Sequence, residues 1–235
     1  MELLDAVKYL RENILDDIGG LGADWETFSE DDTSSFQLRW NNEELVSNIN
    51  AAVELVYRRI LPVKEINDDF DITTNQGTST YILDPRILQI VGVRDTNVNK
   101  TLKRIDIEEV WDSDKFDITQ RTPTHYIPNY DTGSITFYKT PLETVTYSLL
   151  TYRLPLSKLL WDDNEKSIEL RDEFIVPMLW GAAAMCYEKD EANTADPNRS
   201  IYYLQKFNQE FPVTSAYSDV RKRRTSNRVV KYGGI

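Results

Sequence analysis

The spacing of apolar residues changes twice along this chain of 235 residues, and that change limits the folds open to it. Apolar side chains recur every three to four residues at both ends, which is typical of helices. Between about residues 63 and 154 they recur every second residue, with the Thr, Val, Ile and Tyr typical of strands. The order predicts an α+β protein: a four-helix bundle built from both chain ends, a β-rich insert between helices 2 and 3, and an extended C-terminal arm.

Four regions follow from this order. Residues 1–62 are expected to supply the N-terminal helices of the bundle and residues 63–155 the β-rich insert. Residues 156–212 are expected to supply the C-terminal helices, and residues 213–235 a basic extended arm. Apolar residues make up 40% of the chain, which is enough to form a substantial core.

The chain begins with four apolar residues on one helical stripe: Leu3, Val7, Leu10 and Ile14. They predict an amphipathic helix from Met1 to about Asp17. Its charged residues are expected elsewhere on the cylinder: Lys8, Arg11 and Glu12. Three glycines are expected to end the helix before an acid-rich loop: Gly19, Gly20 and Gly22.

The second helix has the clearest start signal. Asn41 can accept a hydrogen bond from the first turn, and Glu44, three residues on, can complete a capping box. An apolar stripe continues from there until Pro62, which cannot extend a helix. The helix is predicted over residues 42–61. Trp40 and Tyr57, at its start and on its apolar stripe, are interpreted as packing residues.

The middle region contains recognisable strands and turns. Residues 144–149 alternate Thr or Ser with larger apolar residues, and residues 135–138 alternate in the same way after a turn at Asp131 and Gly133. A second hairpin is predicted around residues 97–100, between strands at 88–94 and 101–107.

Helical spacing returns after the strands. A third helix is predicted to start near Asp172, with Pro177 close to its first turns. Its stripe is expected to comprise Leu170, Phe174, Met178, Leu179, Ala182, Ala183 and Cys186. Asp196 before Pro197 predicts the capped start of a fourth helix that ends at Pro212. The stripe of this helix is expected to comprise Leu204, Phe207 and Phe211.

Charge and cysteine content narrow the classes of protein. The chain has 39 acidic residues against 27 Lys and Arg, a net charge of −12, which disfavours a protein that grips nucleic acid over its whole surface. The single cysteine excludes an intrachain disulfide and favours folding in the cytoplasm. Charged residues interrupt the N-terminal apolar residues, so neither a signal peptide nor a membrane span is expected.

The residues that commonly carry catalysis do not form a recognisable set. His125 is the only histidine and has no triad pattern around it, and Cys186 lies on an apolar stripe, so both are interpreted as packing or surface residues. One Cys and one His cannot make a zinc site of the usual spacing, and the glycines do not form a phosphate-binding loop. We expect no enzymatic activity and no cofactor.

Acidic residues cluster at two places: residues 30–32, and the group Asp68, Asp69 and Asp71. Neither cluster has the pattern of a calcium loop, so both are interpreted as solvated loops. The alternative, a metal-dependent hydrolase, would use the second group with His125. It predicts that a divalent metal stabilises the fold.

The C-terminal segment from Asp219 to Ile235 has the opposite charge to the rest of the chain. It carries one acid and six bases: Arg221, Lys222, Arg223, Arg224, Arg228 and Lys231. The segment is therefore about +5 and the remainder about −17. Alone it is expected to be unstructured, either as a solubilising end or as an arm that docks on an acidic partner or on phosphate. The six bases are the candidate partner-docking residues.

Several motifs together resemble the head-to-tail adaptor proteins of short-tailed bacteriophages, of the tail tubular protein A type. The central motif is the run of residues 39–45, RWNNEEL, followed by Ile49-Asn50-Ala51-Ala52 and Arg58-Arg59. The order of the later segments is similar as well: a strand-rich middle, Tyr152 to Pro155, Asp196-Pro197, and closing helices around 182–187 and 202–207. The stretch from Gly22 to Phe36 is longer than the loop usual in that family.

The resemblance implies a structural subunit of the virion. Such adaptors form a ring, typically of twelve copies, between the portal protein of the capsid and the tail nozzle, with double-stranded DNA passing through the centre. The acidic body agrees with this, because it repels phosphate and does not hold passing DNA. The basic arm is then expected to reach an adjacent protein, the portal. The alternative that we keep is a DNA-binding accessory module that acts through the same arm.

Overall fold

The structure is a computed structural model that describes residues 1–17, 39–107, 121–189 and 195–213. Two compact units are distinguishable in it. The helical unit comprises Met1–Ile60 and the chain from Pro155 onward, and the sheet unit comprises Leu61–Leu154. The fold is therefore mixed α+β, as predicted.

The described part of the helical unit contains four α-helices: α1 (Leu3–Tyr9), α2 (Asn42–Ile60), α3 (Asp172–Glu188) and α4 (Pro197–Glu210). Helix α3 packs against both α2 and α4. None of these described helices has the length and apolar character needed to cross a membrane. The arrangement of the four helices as a regular bundle stays a prediction.

The first helix is shorter than predicted and changes its geometry. After α1 the chain continues as a π-helical segment, Leu10–Leu15, which ends where Asp16 adopts a left-handed conformation. The glycines expected to end the helix lie outside the described residues. Arg11 was expected away from the apolar stripe, and its side chain is fully buried and paired with Asp17. Asp17, the Trp40 carbonyl and Asn42 Oδ1 all accept hydrogen bonds from the Arg11 guanidinium, which makes its burial tolerable.

Helix α2 begins with the predicted capping box. The Glu44 amide donates to Asn41 Oδ1 at 2.7 Å, and the Asn41 amide donates to Glu44 Oε2 at 3.2 Å. These two bonds satisfy donors that a helix start otherwise leaves free. The helix ends at Ile60, and Leu61 then adopts a positive φ before Pro62.

The two C-terminal helices start where the sequence predicted. Asp196 accepts hydrogen bonds from the Asn198 and Arg199 amides, both at 3.1 Å, ahead of Pro197 at the first helical position. Leu170 precedes α3 and does not join its stripe. The assignment of Leu204 to the apolar stripe of α4 was wrong, since this side chain is 44% exposed. The inward positions include Tyr203, Phe207 and Phe211, spaced four residues apart: the Tyr203 hydroxyl donates to the Ile14 carbonyl, and both phenylalanines are buried.

The described part of the sheet unit contains eight strands: β1 (Lys64–Ile66), β2 (Ile72–Thr73), β3 (Thr80–Ile82), β4 (Ile87–Asp95), β5 (Lys100–Arg104), β6 (His125–Asn129), β7 (Ser134–Tyr138) and β8 (Thr146–Arg153). They form one curled sheet in the order β1-β8-β4-β5-β6-β7-β3, with β2 also pairing β8. The pair β5–β6 is parallel and the other pairs are antiparallel.

Both predicted hairpins are confirmed. Strands β4 and β5 pair with Asp95 opposite Lys100, and Asn99 takes the left-handed conformation in the turn. Strands β6 and β7 pair across a turn in which Gly133 has φ of 62°. Strand β8 shows the predicted alternation, with Tyr147 and Leu149 fully buried in the core of the sheet unit.

Candidate interaction surface

The tryptophan of the motif at the start of α2 has a structural role. Trp40 is 1% exposed, and its indole N–H donates to the Cys186 carbonyl at 3.1 Å. Its ring meets Tyr187 edge-on, with the centroids 5.5 Å apart. Trp40 therefore fixes the entry of α2 against the end of α3, which confirms its interpretation as a packing residue.

A buried ion pair holds the same entry point from the other side. Arg11 pairs with Asp17, and its Nη2 donates at 2.8 Å both to the Trp40 carbonyl and to Asn42 Oδ1. The Arg39 amide donates to Asp17 Oδ1 at 2.9 Å. Burial raises the pKa of Asp17 from its ordinary value, while Arg11 and the backbone donors oppose that rise. The first residues of the motif are thus positioned by a charged network inside the protein.

The end of α2 is held in a similar manner. The Arg59 guanidinium lies over the Phe207 ring, 4.7 Å from its centroid, and Nη1 donates at 2.7 Å to Asn208 Oδ1 and to the Phe211 carbonyl. Burial lowers the pKa of Arg59 from its ordinary value. Tyr57 is fully buried and its hydroxyl donates to the Glu169 carbonyl, so it too is a packing residue as predicted.

The middle of α2 forms one wall of an open groove. Asn50 holds the segment of residues 158–162 beside the helix: its Nδ2 donates to the Leu159 carbonyl, and its Oδ1 accepts from the Leu159 amide, each at 2.9 Å. The groove between them, here called the α2 groove, has a volume of about 580 Å³. Both walls belong to the helical unit.

The α2 groove combines acidic and apolar side chains. Its lining includes Glu43, Ala51, Glu54, Lys158, Leu160, Trp161 and Asp162. Three carboxylates thus face one ammonium group, and the Arg58 guanidinium lies 4.0 Å from Glu54. Leu160 is 64% exposed and Trp161 half-buried, so the groove presents apolar surface beside the acids. Such a surface suits a segment that carries positive charge and some apolar side chains.

The sequence did not predict this groove. Asn50 was noted as part of the motif, but its amide clamp on residue 159 joins segments that are 109 residues apart. The available signal was the pair of apolar residues Leu160 and Trp161, followed directly by two acids. The predicted docking residues Arg221, Lys222, Arg223, Arg224, Arg228 and Lys231 lie outside the described residues.

The candidate catalytic residues have partners that suit packing. His125 Nδ1 lies 2.9 Å from Thr124 Oγ1, and the ring meets Tyr138 edge-on. Burial lowers the pKa of His125, and so do Lys103 and Lys139. Cys186 is fully buried, as predicted, and burial raises the pKa of its thiol to about 12.

The three carboxylates of the acidic group near β2 lie in different surroundings. Asp68 and Asp69 are exposed in a 3₁₀ turn, whereas Asp71 accepts a hydrogen bond from the Ser148 hydroxyl at 3.0 Å. Burial raises the pKa of Asp71. Among the described residues no group of three or more His, Cys, Asp or Glu side chains is placed to hold a metal ion. The other acidic cluster, residues 30–32, lies outside the described residues.

Comparison with known proteins identifies the family. A sequence model of the SU10 adaptor protein family matches residues 2–231. No curated protein matches the sequence. The family match supports the resemblance to a phage head-to-tail adaptor, while the restriction to short-tailed phages and the tail tubular protein A type stay predictions. Since the match spans nearly the whole chain, the protein belongs to the SU10 adaptor protein family and is a structural phage adaptor.

Proposed function

We propose that this adaptor works as a ring, typically of twelve copies, between the portal protein and the tail nozzle in the neck of the virion. Genome DNA passes through the centre of the ring without specific binding. The subunit is made and assembled in the cytoplasm of the bacterial host. The observation that carries the proposal is the family match over residues 2–231.

The charge of the chain supports a channel subunit. The net charge is −12, and without the C-terminal segment from Asp219 onward it is about −17. A negatively charged body repels DNA phosphate, so the passing genome is not retained. The protein needs no catalytic step or cofactor in this role.

The parts of the chain have separate tasks in this proposal. The helices from both chain ends form the wall of the ring, and the β-rich insert contacts neighbouring copies or the nozzle. The basic C-terminal segment holds an adjacent protein of the neck. An acidic surface must receive it, on the portal or on a neighbouring copy.

Co-sedimentation with purified portal assemblies tests the role of adaptor. The full chain is expected to sediment with the portal and to recruit the nozzle protein only when the portal is present. Removal of every residue after Val220 tests the arm in the same assay, where unchanged attachment would reject docking of the arm on the portal. Failure of the full chain to bind either assembly would reject the proposed position in the neck.

One observation favours a second function, a DNA-binding accessory module. The segment from Asp219 to Ile235 is about +5 and has the residue types that bind phosphate. A gel shift with the isolated protein at physiological salt separates the two. Binding that disappears on truncation after Val220 would favour the DNA-binding module, whereas ring formation without DNA binding would favour the adaptor.

A further inference from the structure

The α2 groove is a built surface that the adaptor family assignment does not explain. Its second wall is fixed by two hydrogen bonds between Asn50 and the backbone of Leu159, so the groove exists before any partner arrives. Preformed surfaces bind more tightly because little conformational entropy is lost on binding. The floor at Ala51 is exposed and small, which leaves the groove open.

We propose that the α2 groove receives the basic C-terminal segment, residues 221–231, of a second copy of this chain. The groove carries three carboxylates, on Glu43, Glu54 and Asp162, against the ammonium group of Lys158 and the Arg58 guanidinium beside Glu54, so negative charge is in excess. The segment supplies six bases and no acid between Arg221 and Lys231. The two surfaces are therefore complementary in charge.

The apolar part of the groove fits the same occupant. Trp161 offers a ring face on which an arginine guanidinium can stack, and cation–π contacts favour arginine over lysine. Four of the six bases in the segment are arginines, and Val229 and Val230 lie between the last two bases. These valines can cover Leu160, which is 64% exposed.

The choice of a second copy rests on the proposed ring. A ring closes when one surface of each copy meets a different surface of the next, and a groove with an arm is such a pair. Within one copy, Arg59 holds the Phe211 carbonyl beside the C-terminal end of α2, whereas the groove follows residues 43–54, nearer the helix start. Groove and arm thus provide a head-to-tail contact between neighbours.

Site-specific cross-linking between full-length copies tests the contact. One copy carries Ala51→Cys in the groove and the other carries Arg228→Cys in the arm, and mild oxidation traps them when they meet. The buried Cys186 remains unreactive. Mass spectrometry is expected to detect the mixed disulfide between positions 51 and 228. Glu43→Lys with Glu54→Lys in the groove copy should lower its yield about tenfold.

The control is a double variant with the same change of net charge, made at positions outside the groove. Glu12→Lys with Glu143→Lys, two exposed acids outside the lining, should leave the yield within about twofold. Arg221→Glu with Arg224→Glu on the arm copy should restore cross-linking to the groove-reversed copy. Equal yields from the groove-reversed and control copies would overturn the proposal.

Two further outcomes would also overturn it. A single chain with both cysteines that forms only an intrachain disulfide would place the arm in its own groove. An arm that cross-links to added portal but never to position 51 would assign the acidic acceptor to the portal. Neither result would reject the proposed ring, because attachment to the portal and nozzle is measured separately.

Discussion

One ion pair from the helical unit and one from the sheet unit lie in different environments. In the helical unit the side chains of Arg11 and Asp17 are 0% and 1% exposed, and the pair fixes the entry to α2. In the sheet unit the paired side chains of Asp84 and Arg86 are 25% and 31% exposed. A buried pair must be complete to be tolerated, whereas a solvated pair contributes little. The motif of residues 39–45 thus begins beside a buried ion pair that must stay complete.

Replacing one paired arginine in each unit should give the largest difference between the units in the free energy of unfolding. Arg11→Met leaves the Asp17 carboxylate buried without its cation, so we expect a loss of about 3–5 kcal/mol in the free energy of unfolding. Arg86→Met should cost about 1 kcal/mol or less, because Asp84 can be solvated. Urea denaturation measures both. Equal losses of stability in the two variants would contradict the claim that one pair is buried and the other solvated.

Replacing one glycine in each unit by alanine should give a smaller difference in stability between the units. A Cβ at Gly181 would lie 2.9 Å from two ring carbons of Phe207, so Gly181→Ala should destabilise the protein by about 1–3 kcal/mol. A Cβ at Gly92 meets nothing within 4 Å, so Gly92→Ala in β4 should be neutral or stabilising by up to about 1 kcal/mol. Thermal unfolding provides the comparison. A stabilising Gly181→Ala would show that α3 and α4 are packed less closely than described.

Acid should weaken the sheet unit before the helical unit. Hydrogen bonds from Arg153 and Arg86 hold the pKa values of Glu65 and Asp84 below their ordinary values. Their stabilisation is present above the unfolded pKa values of about 4 and is lost as the pH falls through the lower folded values. Burial raises the pKa of Asp17, so acid has the opposite effect there.

Hydrogen exchange at pH 7 and pH 3 measures the two units separately. Protection of β1, β4 and β8 should fall at pH 3, by up to about 1 kcal/mol for each of the two pairs, whose Glu65 and Asp84 side chains are 33% and 25% exposed. Protection near the Asp17 network should not fall, because acid has the opposite effect there. A larger loss in α2 than in β8 would contradict the assignment of the pKa shifts.

The reactivity of Cys186 should report opening of the helical unit alone. Its thiol is fully buried and its pKa is raised to about 12, so native alkylation at pH 8 requires local opening. Arg11→Met should therefore accelerate alkylation, while Arg86→Met should leave the rate nearly unchanged. The rate with iodoacetamide checks this, and identical acceleration in both variants would show that the two units open together.

Local sequence signals predicted the element starts because each signal acts within a few residues. Asn41 with Glu44 and Asp196 with Pro197 cap their helices as predicted, since a cap requires only the first turn. The turn at Gly133 was predictable for the same reason, because its positive φ favours glycine.

Features that depend on distant partners were not predictable. Arg11 is inside because Asp17 and the Trp40 carbonyl receive it there, and periodicity alone assigns a charged residue to the outside. The alternation of residues along a strand shows which side chains share a face of the sheet, but not which strands pair. It therefore did not show that β8 lies between β1 and β4. The α2 groove depends on the clamp between Asn50 and Leu159, which joins distant parts of the chain.

Electron microscopy of the protein alone and after mixing with purified portal tests the proposed ring most directly. The proposal predicts a closed ring of defined rotational symmetry, twelvefold in the typical case, attached to one end of the portal. The ring should have an open centre wide enough for double-stranded DNA. Single subunits scattered on the portal, or a chain that stays monomeric with portal and nozzle both present, would contradict it.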